Sequence, residues 1–379
     1  MGSDGRNSST GPYPPSSVIP EAAQRLSGIG ALRRLPHPDP GSRSPRSLGR
    51  DDEAVVNPPE TEKMEAPIVG VYLSGALDLA AYFDPAFAEI APDIVMLRQE
   101  EVRDPAAVRV AMAWQPAPDA FSPYPNLQLV SSIAAGVDSI LACPSLPPDI
   151  AVMRIRDDAQ ARTMAGFAVW HVIWHHRRMG DYLARQRAGV WEKLPSPLAG
   201  DVGVGILGFG QMGQAVAEAL LPLGYTVSAL CRKGSGRAIP GVELQSGAEG
   251  LAAIAAASDI LINLLPLTPE TRGILDARLF AVMPRGAALI QLGRGEHLVE
   301  EDLLAALAGG RLSGASLDVF AVEPLPDGHP FWSHPDIVVT PHAASESSAE
   351  TVVHLFASEV RRCLAGGTPV AAVDRSNGY

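Results

Sequence analysis

One stretch limits the fold of this chain more than any other. Residues 202–220, VGVGILGFGQMGQAVAEAL, pass from an apolar run (Val202–Leu207) through Gly208-Phe209-Gly210-Gln211-Met212-Gly213 into an alanine-rich segment of helical composition. Glycine at 208 allows a tight turn. Glycine at 210 lets backbone N–H groups approach a pyrophosphate at the positive end of the helix, and glycine at 213 lets helix and strand pack closely. A Gly-x-Gly-x-x-Gly on its own is a weak signal. With a strand before it, a helix after it and a further strand at Tyr225–Leu230, it predicts a dinucleotide-binding turn, with Gly208, Gly210, Gln211, Met212 and Gly213 at the cofactor.

The strand after that helix ends at Cys231-Arg232-Lys233. NAD sites usually place an acid there to accept from the ribose hydroxyls. A thiol followed by two cations would instead attract a 2′-phosphate. The expected cofactor is NADP, with NAD possible and with Arg232 and Lys233 as contacts. The plainer alternative is a solvated basic strand end.

From Ala66 onward, short apolar runs alternate with helical stretches. Such runs are Ile68–Tyr72, Leu127–Ser132, Val202–Leu207, Thr226–Leu230, Ile260–Leu264, Ala288–Leu292 and Ile337–Thr340. Continuous apolar strands between amphipathic helices predict parallel sheets covered on both faces. A long helical stretch at about 159–187 reads as an inter-domain helix. Residues 1–63 show no apolar period and are rich in Ser, Pro, Gly and Arg, which predicts a disordered leader. Met64 then opens MEAPIVGVYLSG like a second start residue, so the leader could reflect an upstream start. A transit peptide is the alternative, weakened by Asp4, Glu21 and Asp39.

Charge and cysteine usage exclude some classes. The net charge is −12, and the first 63 residues carry as many basic as acidic side chains, so the excess lies in the rest. A body this acidic, with no basic stripe, is not expected to bind nucleic acid. No apolar run is long enough for a membrane span and no secretory signal is evident, so no membrane partner and a cytoplasmic location are expected. Cys143, Cys231 and Cys363 are far apart and odd in number, as for reduced thiols.

Three polar residues follow predicted strands in the second half: Arg294 in QLGRGEHL, Glu323 in LDVFAVEPLP and His342 in TPHAAS. Ligands bind outside the carboxyl ends of strands in open α/β sheets. An Arg can grip a carboxylate by two parallel hydrogen bonds, and a His can move a proton while a carboxylate fixes its tautomer. Hydride transfer to a 2-oxo acid needs those roles. His297 is expected to open a helix after the Arg loop, and His329 and His334 to lie in a Pro-rich surface loop. His171 and His175 share one helix face, but no third ligand or HExxH pattern accompanies them, so no metal is expected. Ser131 and Ser132 lack a nucleophile-elbow context.

The ordered stretches GFGQMG, LLPLTPET, LGRGEHLVEEDLLAAL, GASLDVFAVEPLP and TPHAAS resemble the D-2-hydroxyacid dehydrogenase family. Within it, ILGFGQMG, INLLPLTPETRGI, DVFAVEPLP and the tail VDRSNGY are most similar to the glyoxylate/hydroxypyruvate reductase A group. The resemblance covers about residues 66–379. It implies two doubly wound, Rossmann-like parallel-sheet α/β domains with the active site in the cleft between them. Residues 64–165 with 346–379 would form the substrate domain and 166–345 the dinucleotide-binding domain. It further implies that Arg294 holds the substrate carboxylate and carbonyl, that His342 is the acid–base residue and that Glu323 is its partner. Asp318 and the carbonyls near Leu292 would hold the nicotinamide carboxamide, with Leu265 among the cofactor contacts.

The loop SSIAAGVDSIL would bind the substrate carboxylate through Ala135, Gly136 and Val137, and Trp114 would close over it. Ala134 replaces the family's usual glycine, which is tolerable only at negative φ. Gly166 replaces a frequent Glu at what is expected to be the start of the inter-domain helix. The implied activity is NAD(P)H-dependent reduction of a small 2-oxo acid, in a homodimer. Two alternatives stay open: NAD-linked oxidation of a bulkier D-2-hydroxy acid, and a non-enzymatic dinucleotide-sensing module of the corepressor kind.

Overall fold

The computed structural model describes residues 66–232, 237–375 and 378; the 1–63 leader and Lys233 lie outside them. Strands Ile68–Ser74 (β1), Ile94–Leu97 (β2), Val108–Trp114 (β3), Leu129–Ser132 (β4) and Ala151–Met153 (β5) form a parallel sheet in the order β2-β1-β3-β4-β5. Helices Leu79–Ile90 (α1) and Asp138–Leu141 (α2) belong to its connections. Alternate residues of the central strands feed two cores. Tyr72, Val110 and Met112 pack on one face with Phe83 and Phe87 of α1, while Val71, Leu73, Ala111 and Ala113 pack on the other with Phe121 and Ile140. Burial on both faces is why these strands are largely apolar.

The chain then crosses into a second sheet. Asp158–His176 (α3) is capped by Asp157, whose carboxylate accepts from the Ala159 N–H at 2.8 Å. Where one long helix is expected, α3 is followed by a separate helix, Met179–Ala188 (α4), because Arg178 takes a left-handed φ of 53° that ends the ladder. Strands Gly203–Leu207 (β6), Thr226–Leu230 (β7), Val242–Gln245 (β8), Ile260–Asn263 (β9), Ala287–Gln291 (β10), Leu312–Leu317 (β11) and Ile337–Val339 (β12) are all parallel, in the order β12-β11-β10-β9-β6-β7-β8. Helices Gln211–Leu220 (α5), Gly247–Ala257 (α6), Ala277–Val282 (α7) and Glu300–Ala308 (α8) complete the connections. The order reverses between β6 and β9, which opens a crevice at their carboxyl ends.

Ala349–Leu364 (α9) returns to the first sheet and buries Val352, Val353, Phe356 and Val360 against α1 and β1. The two crossings are tied together where the Ser347 hydroxyl donates to Asp157 at 2.8 Å. The expected boundary at 165/166 falls inside α3, whose Met164, Ala165, Ala168 and Val172 pack with the second sheet. We therefore place the crossings at Asp157 and Ser347 as a proposal. Among the described residues no helix is long and apolar enough to cross a membrane.

Gly166 lies mid-helix in α3, not at its start, and no heavy atom lies within 4 Å of where a methyl would sit. Gly166→Ala should stabilise the protein by about 0.5–1 kcal/mol and raise Tm by about 1–3 °C; a lower Tm in a thermal melt would contradict this.

His171 is buried to 1% exposure with neither ring nitrogen bonded, and burial pushes its pKa down to about 4. The unfolded chain takes up that proton near pH 6.5. The stability tied to the neutral ring is thus complete above about pH 6.5 and is lost toward pH 4, at about 1.4 kcal/mol per pH unit. Urea melts at pH 7.5 and 5.0 should show His171→Phe losing less stability on acidification than the parent. An equal loss in both would refute the assignment.

Candidate active site

The glycine turn sits at the carboxyl end of β6, beside the crevice. Gly208 has a φ of +98° and its N–H donates to the Leu230 carbonyl at 3.2 Å; a Cβ there would lie 2.6 Å from the Leu264 carbonyl oxygen. Gly213 is equally crowded, with a Cβ 2.1 Å from the Gly208 carbonyl oxygen. Gly210 differs from both: it precedes α5, and a Cβ there would meet open space. Gly210 thus leaves room beside the N-terminus of α5, whose first N–H groups have no partner within the helix, which fits the pyrophosphate of a dinucleotide.

Other residues expected at the cofactor lie at the start of α5 or just past the ends of β7, β9 and β10. Gln211 turns its amide to Asp158 at 2.7 Å, and Met212 packs against the core below the turn. Leu265 is half-buried just past β9, Leu292 is buried just past β10, and Arg232 is exposed just past β7.

Arg294, Glu323 and His342 lie on the loops that follow β10, β11 and β12, three neighbouring strands. His342 holds a φ of +51°, which costs a non-glycine residue free energy. Its N–H donates to the Asp318 carbonyl at 2.8 Å. Asp318 is 1% exposed, and its carboxylate accepts from Thr340 Oγ1 at 2.7 Å, the Ala343 N–H at 2.9 Å and the Ala344 N–H at 3.0 Å. The residue expected at the nicotinamide thus shapes the His342 loop with both oxygens.

His342 Nδ1 bonds Glu323 Oε2 at 2.9 Å, and Glu323 Oε1 accepts from the Phe320 N–H at 3.0 Å. Burial alone would raise the Glu323 carboxyl. The bonds from His342 and Phe320 and the charges of His342 and Arg294 outweigh it, and the group stays ionised below the usual carboxylate range. With Nδ1 turned to a carboxylate, Nε2 is the nitrogen left for proton exchange.

The loop expected at the substrate meets Arg294 directly. Arg294 Nε donates to Asp138 at 3.0 Å and Nη1 to the Gly293 carbonyl at 2.9 Å. A Cβ on Gly136 would lie 1.7 Å from Nη2, so the guanidinium rests where any side chain at 136 would stand. Val137 is buried at the start of α2, Ala135 is half-buried, and Trp114 ends β3 half-buried. Ala134 is not among the positive-φ residues, so the missing glycine leaves the loop unstrained there. Ser132 braces the loop by donating to the Gly136 carbonyl at 2.6 Å and accepting from the Ala134 N–H at 3.1 Å.

Asp138, Ser132 and His297 were not among the expected site residues. Asp138 stands two residues past Gly136, and that proximity to the substrate loop was its only sequence signal. His297 does not open a helix: it ends a 3-10 turn (Gly295–His297), fully buried, and α8 starts at Glu300. His329 pairs with Glu300 at 3.1 Å. His175 bonds Ser316 Oγ at 2.9 Å, and His176 bonds Tyr225 Oη at 2.8 Å and the Pro197 carbonyl at 2.9 Å. Among the described residues no three His, Cys, Asp or Glu gather as a metal site.

A glycine turn at a sheet crevice, with an Arg and a Glu–His pair on neighbouring strand loops, has the layout expected of a dinucleotide-dependent oxidoreductase. A family model for the NAD binding domain of D-isomer specific 2-hydroxyacid dehydrogenases matches residues 169–344. Glyoxylate/hydroxypyruvate reductase A of Serratia proteamaculans is 40% identical over 274 residues, 71% of this chain and 87% of that protein. Its Yersinia enterocolitica counterpart is 37% identical over 288 residues, 75% of this chain and 91% of that one. A D-isomer specific 2-hydroxyacid dehydrogenase from Xanthobacter autotrophicus Py2, in complex with NADPH and MES, aligns with a TM-score of 0.77 at 35% identity, covering 83% of this chain and 100% of that one. An NADPH-dependent glyoxylate/hydroxypyruvate reductase from Sinorhizobium meliloti, in complex with NADP and sulfate, gives 0.76 at 35%, covering 82% and 99%. The chain belongs to the D-isomer specific 2-hydroxyacid dehydrogenase family.

Proposed function

We propose that this chain reduces a small 2-oxo acid of the glyoxylate or hydroxypyruvate type, with NADPH as the preferred donor and NADH as a poorer one. The observation that carries this reading is the Glu323–His342 pair on strand loops next to Arg294, which itself lies against the Gly136 loop. Relatives named for those substrates and neighbours holding NADPH or NADP support the substrate and cofactor class.

When bound, the reduced nicotinamide would supply the hydride that C2 of the substrate receives. Arg294 grips the carboxylate and polarises the carbonyl, so its positive charge is fixed where negative charge develops. The N–H groups of Ala135, Gly136 and Val137 take the other side of the carboxylate. His342, protonated and oriented by Glu323, delivers a proton from Nε2 to the carbonyl oxygen. Asp318 keeps His342 in place through the loop backbone. The N–H groups at the start of α5 would hold the pyrophosphate, and Arg232 and Lys233 would take the 2′-phosphate. The Asp157 and Ser347 crossings divide the chain into a substrate domain and a dinucleotide domain.

The protein acts as a homodimer in the cytoplasm, without nucleic-acid or membrane partners. Trp170, Ile173, Met179, Leu183 and Trp191, on and after α3 and α4, are exposed large apolar side chains that a second copy would cover. The body's acidic charge disfavours nucleic acid. Sedimentation at micromolar concentration tests the dimer.

Initial rates with glyoxylate, hydroxypyruvate and larger 2-oxo acids, each with NADPH and NADH, test the activity; no oxidation of either cofactor with any of them would end the reading. Replacing both Arg232 and Lys233 with Ala should lower kcat/KM with NADPH about tenfold or more, the worth of a charge-assisted contact at 1.5–3 kcal/mol, and leave NADH nearly unchanged. Equal kcat/KM for the two cofactors in the unmutated protein would rule out the 2′-phosphate assignment.

A further inference from the structure

His297 takes no part in the chemistry above, yet it is fully buried and lies directly under Arg294. The Arg294 N–H donates to His297 Nδ1 at 3.0 Å, Asn263 Nδ2 lies 3.0 Å from the same nitrogen, and His297 Nε2 faces the Pro266 carbonyl at 3.2 Å. A backbone N–H only donates and a carbonyl only accepts. Nδ1 is therefore bare, and the ring's single proton sits on Nε2.

The surrounding groups close the network. The second Asn263 N–H donates to Gln291 Oε1 at 2.7 Å, and Gln291 Nε2 donates to the Arg294 carbonyl at 2.9 Å. The Leu265 N–H donates to Asn263 Oδ1 at 3.3 Å. Both backbone polar groups of Arg294 are held by this bracket, which also grips the Leu265–Pro266 loop beside the cofactor crevice.

We propose that His297, neutral and protonated on Nε2, is a positioning residue that fixes the Arg294 backbone to the Leu265–Pro266 loop and so aims the guanidinium at the substrate. This rests on the reading of Arg294 as the substrate anchor. A proton on Nδ1 would face two N–H donors and open the bracket. Burial is the main reason the ring resists protonation, down to about 4. Of the charged groups facing it, Arg294 opposes a proton and Asp138 favours one; Asn263, Gln291 and the Pro266 carbonyl are neutral.

The test uses the full chain with NADPH and glyoxylate. His297→Phe keeps a ring but leaves the Arg294 N–H unpaired, and kcat/KM for glyoxylate should fall about tenfold or more, with the Kd for NADPH nearly unchanged. His297→Asn keeps an acceptor near the Nδ1 position and should recover most of that loss. In an Arg294→Ala background, His297→Phe should cost nothing further, because its effect runs through Arg294.

Equal losses in the Asn and Phe variants, a full additional loss in the Arg294→Ala background, or no loss in His297→Phe would each overturn the proposal while leaving the activity standing. If Arg294→Ala itself left kcat/KM unchanged, the substrate-anchor reading would fail, and this proposal with it. Should His297→Phe not fold, nitrogen NMR of histidine-labelled parent protein decides, with His297→Asn assigning the signal. A ring that stays neutral with its proton on Nε2 from pH 8 to 5 is expected, and protonation near pH 6.5 or a proton on Nδ1 overturns the proposal.

Discussion

Replacing His342 with Ala should lower kcat by about 100- to 10,000-fold, the usual contribution of a positioned acid–base group. The reaction moves one proton with one hydride, and His342 Nε2 is the ring nitrogen that its Glu323 contact leaves available. NADPH binding, followed by fluorescence, should survive, because the phosphate turn lies on β6 and α5 rather than on the β12 loop. Glu323→Gln should lower kcat less and move the pH profile, since the imidazole remains but loses the charge that holds its tautomer. Turnover of the His342 variant above a tenth of the parent's would mean that another group supplies the proton.

Replacing Arg294 with Ala should cost kcat/KM about 100-fold or more, from the loss of two charge-assisted hydrogen bonds worth about 1.5–3 kcal/mol each. KM should rise and kcat fall together, because the same fork binds the carboxylate and stabilises the developing alkoxide. Arg294→Lys should recover little: a single ammonium cannot reproduce the planar fork that bonds Asp138 through Nε while presenting its remaining N–H groups. Steady-state kinetics with glyoxylate check this, and an unchanged kcat with only KM affected would reduce Arg294 to a binding group.

The parts of the fold legible in the sequence were those where one physical pattern dominates. Strands β1, β4, β6, β9 and β10 are buried along most of their length and appear as mostly apolar runs, and β7 and β12, half-buried on one face, keep enough of that pattern to be read. The phosphate turn was legible because three glycines answer three separate steric demands, two of which the crowding at Gly208 and Gly213 displays. Edge strand β8, with the sequence VELQ, has no such run and was not legible. Neither was the break at Arg178, where a non-glycine residue takes a left-handed φ with no sequence mark.

The candidate site divides along the same line. Arg294, Glu323 and His342 stood out as polar residues just past strands, a local signal. Asp138 and His297 act through partners that only folding brings near. Asp138 meets Arg294 from 156 residues away, and His297, which lies among helix-forming residues, is drawn inward by Asn263 and Pro266.

The proposed reaction delivers a hydride to C2 of a small 2-oxo acid with a proton from the protein. NADPH carrying deuterium at the transferable C4 position, incubated with the protein and hydroxypyruvate, tests it most directly. The expected result is consumption of the cofactor and glycerate of D configuration bearing one deuterium at C2, with the label absent in the Arg294→Ala and His342→Ala proteins over the same interval. Glycerate without deuterium at C2, or no glycerate from the intact protein, would contradict it.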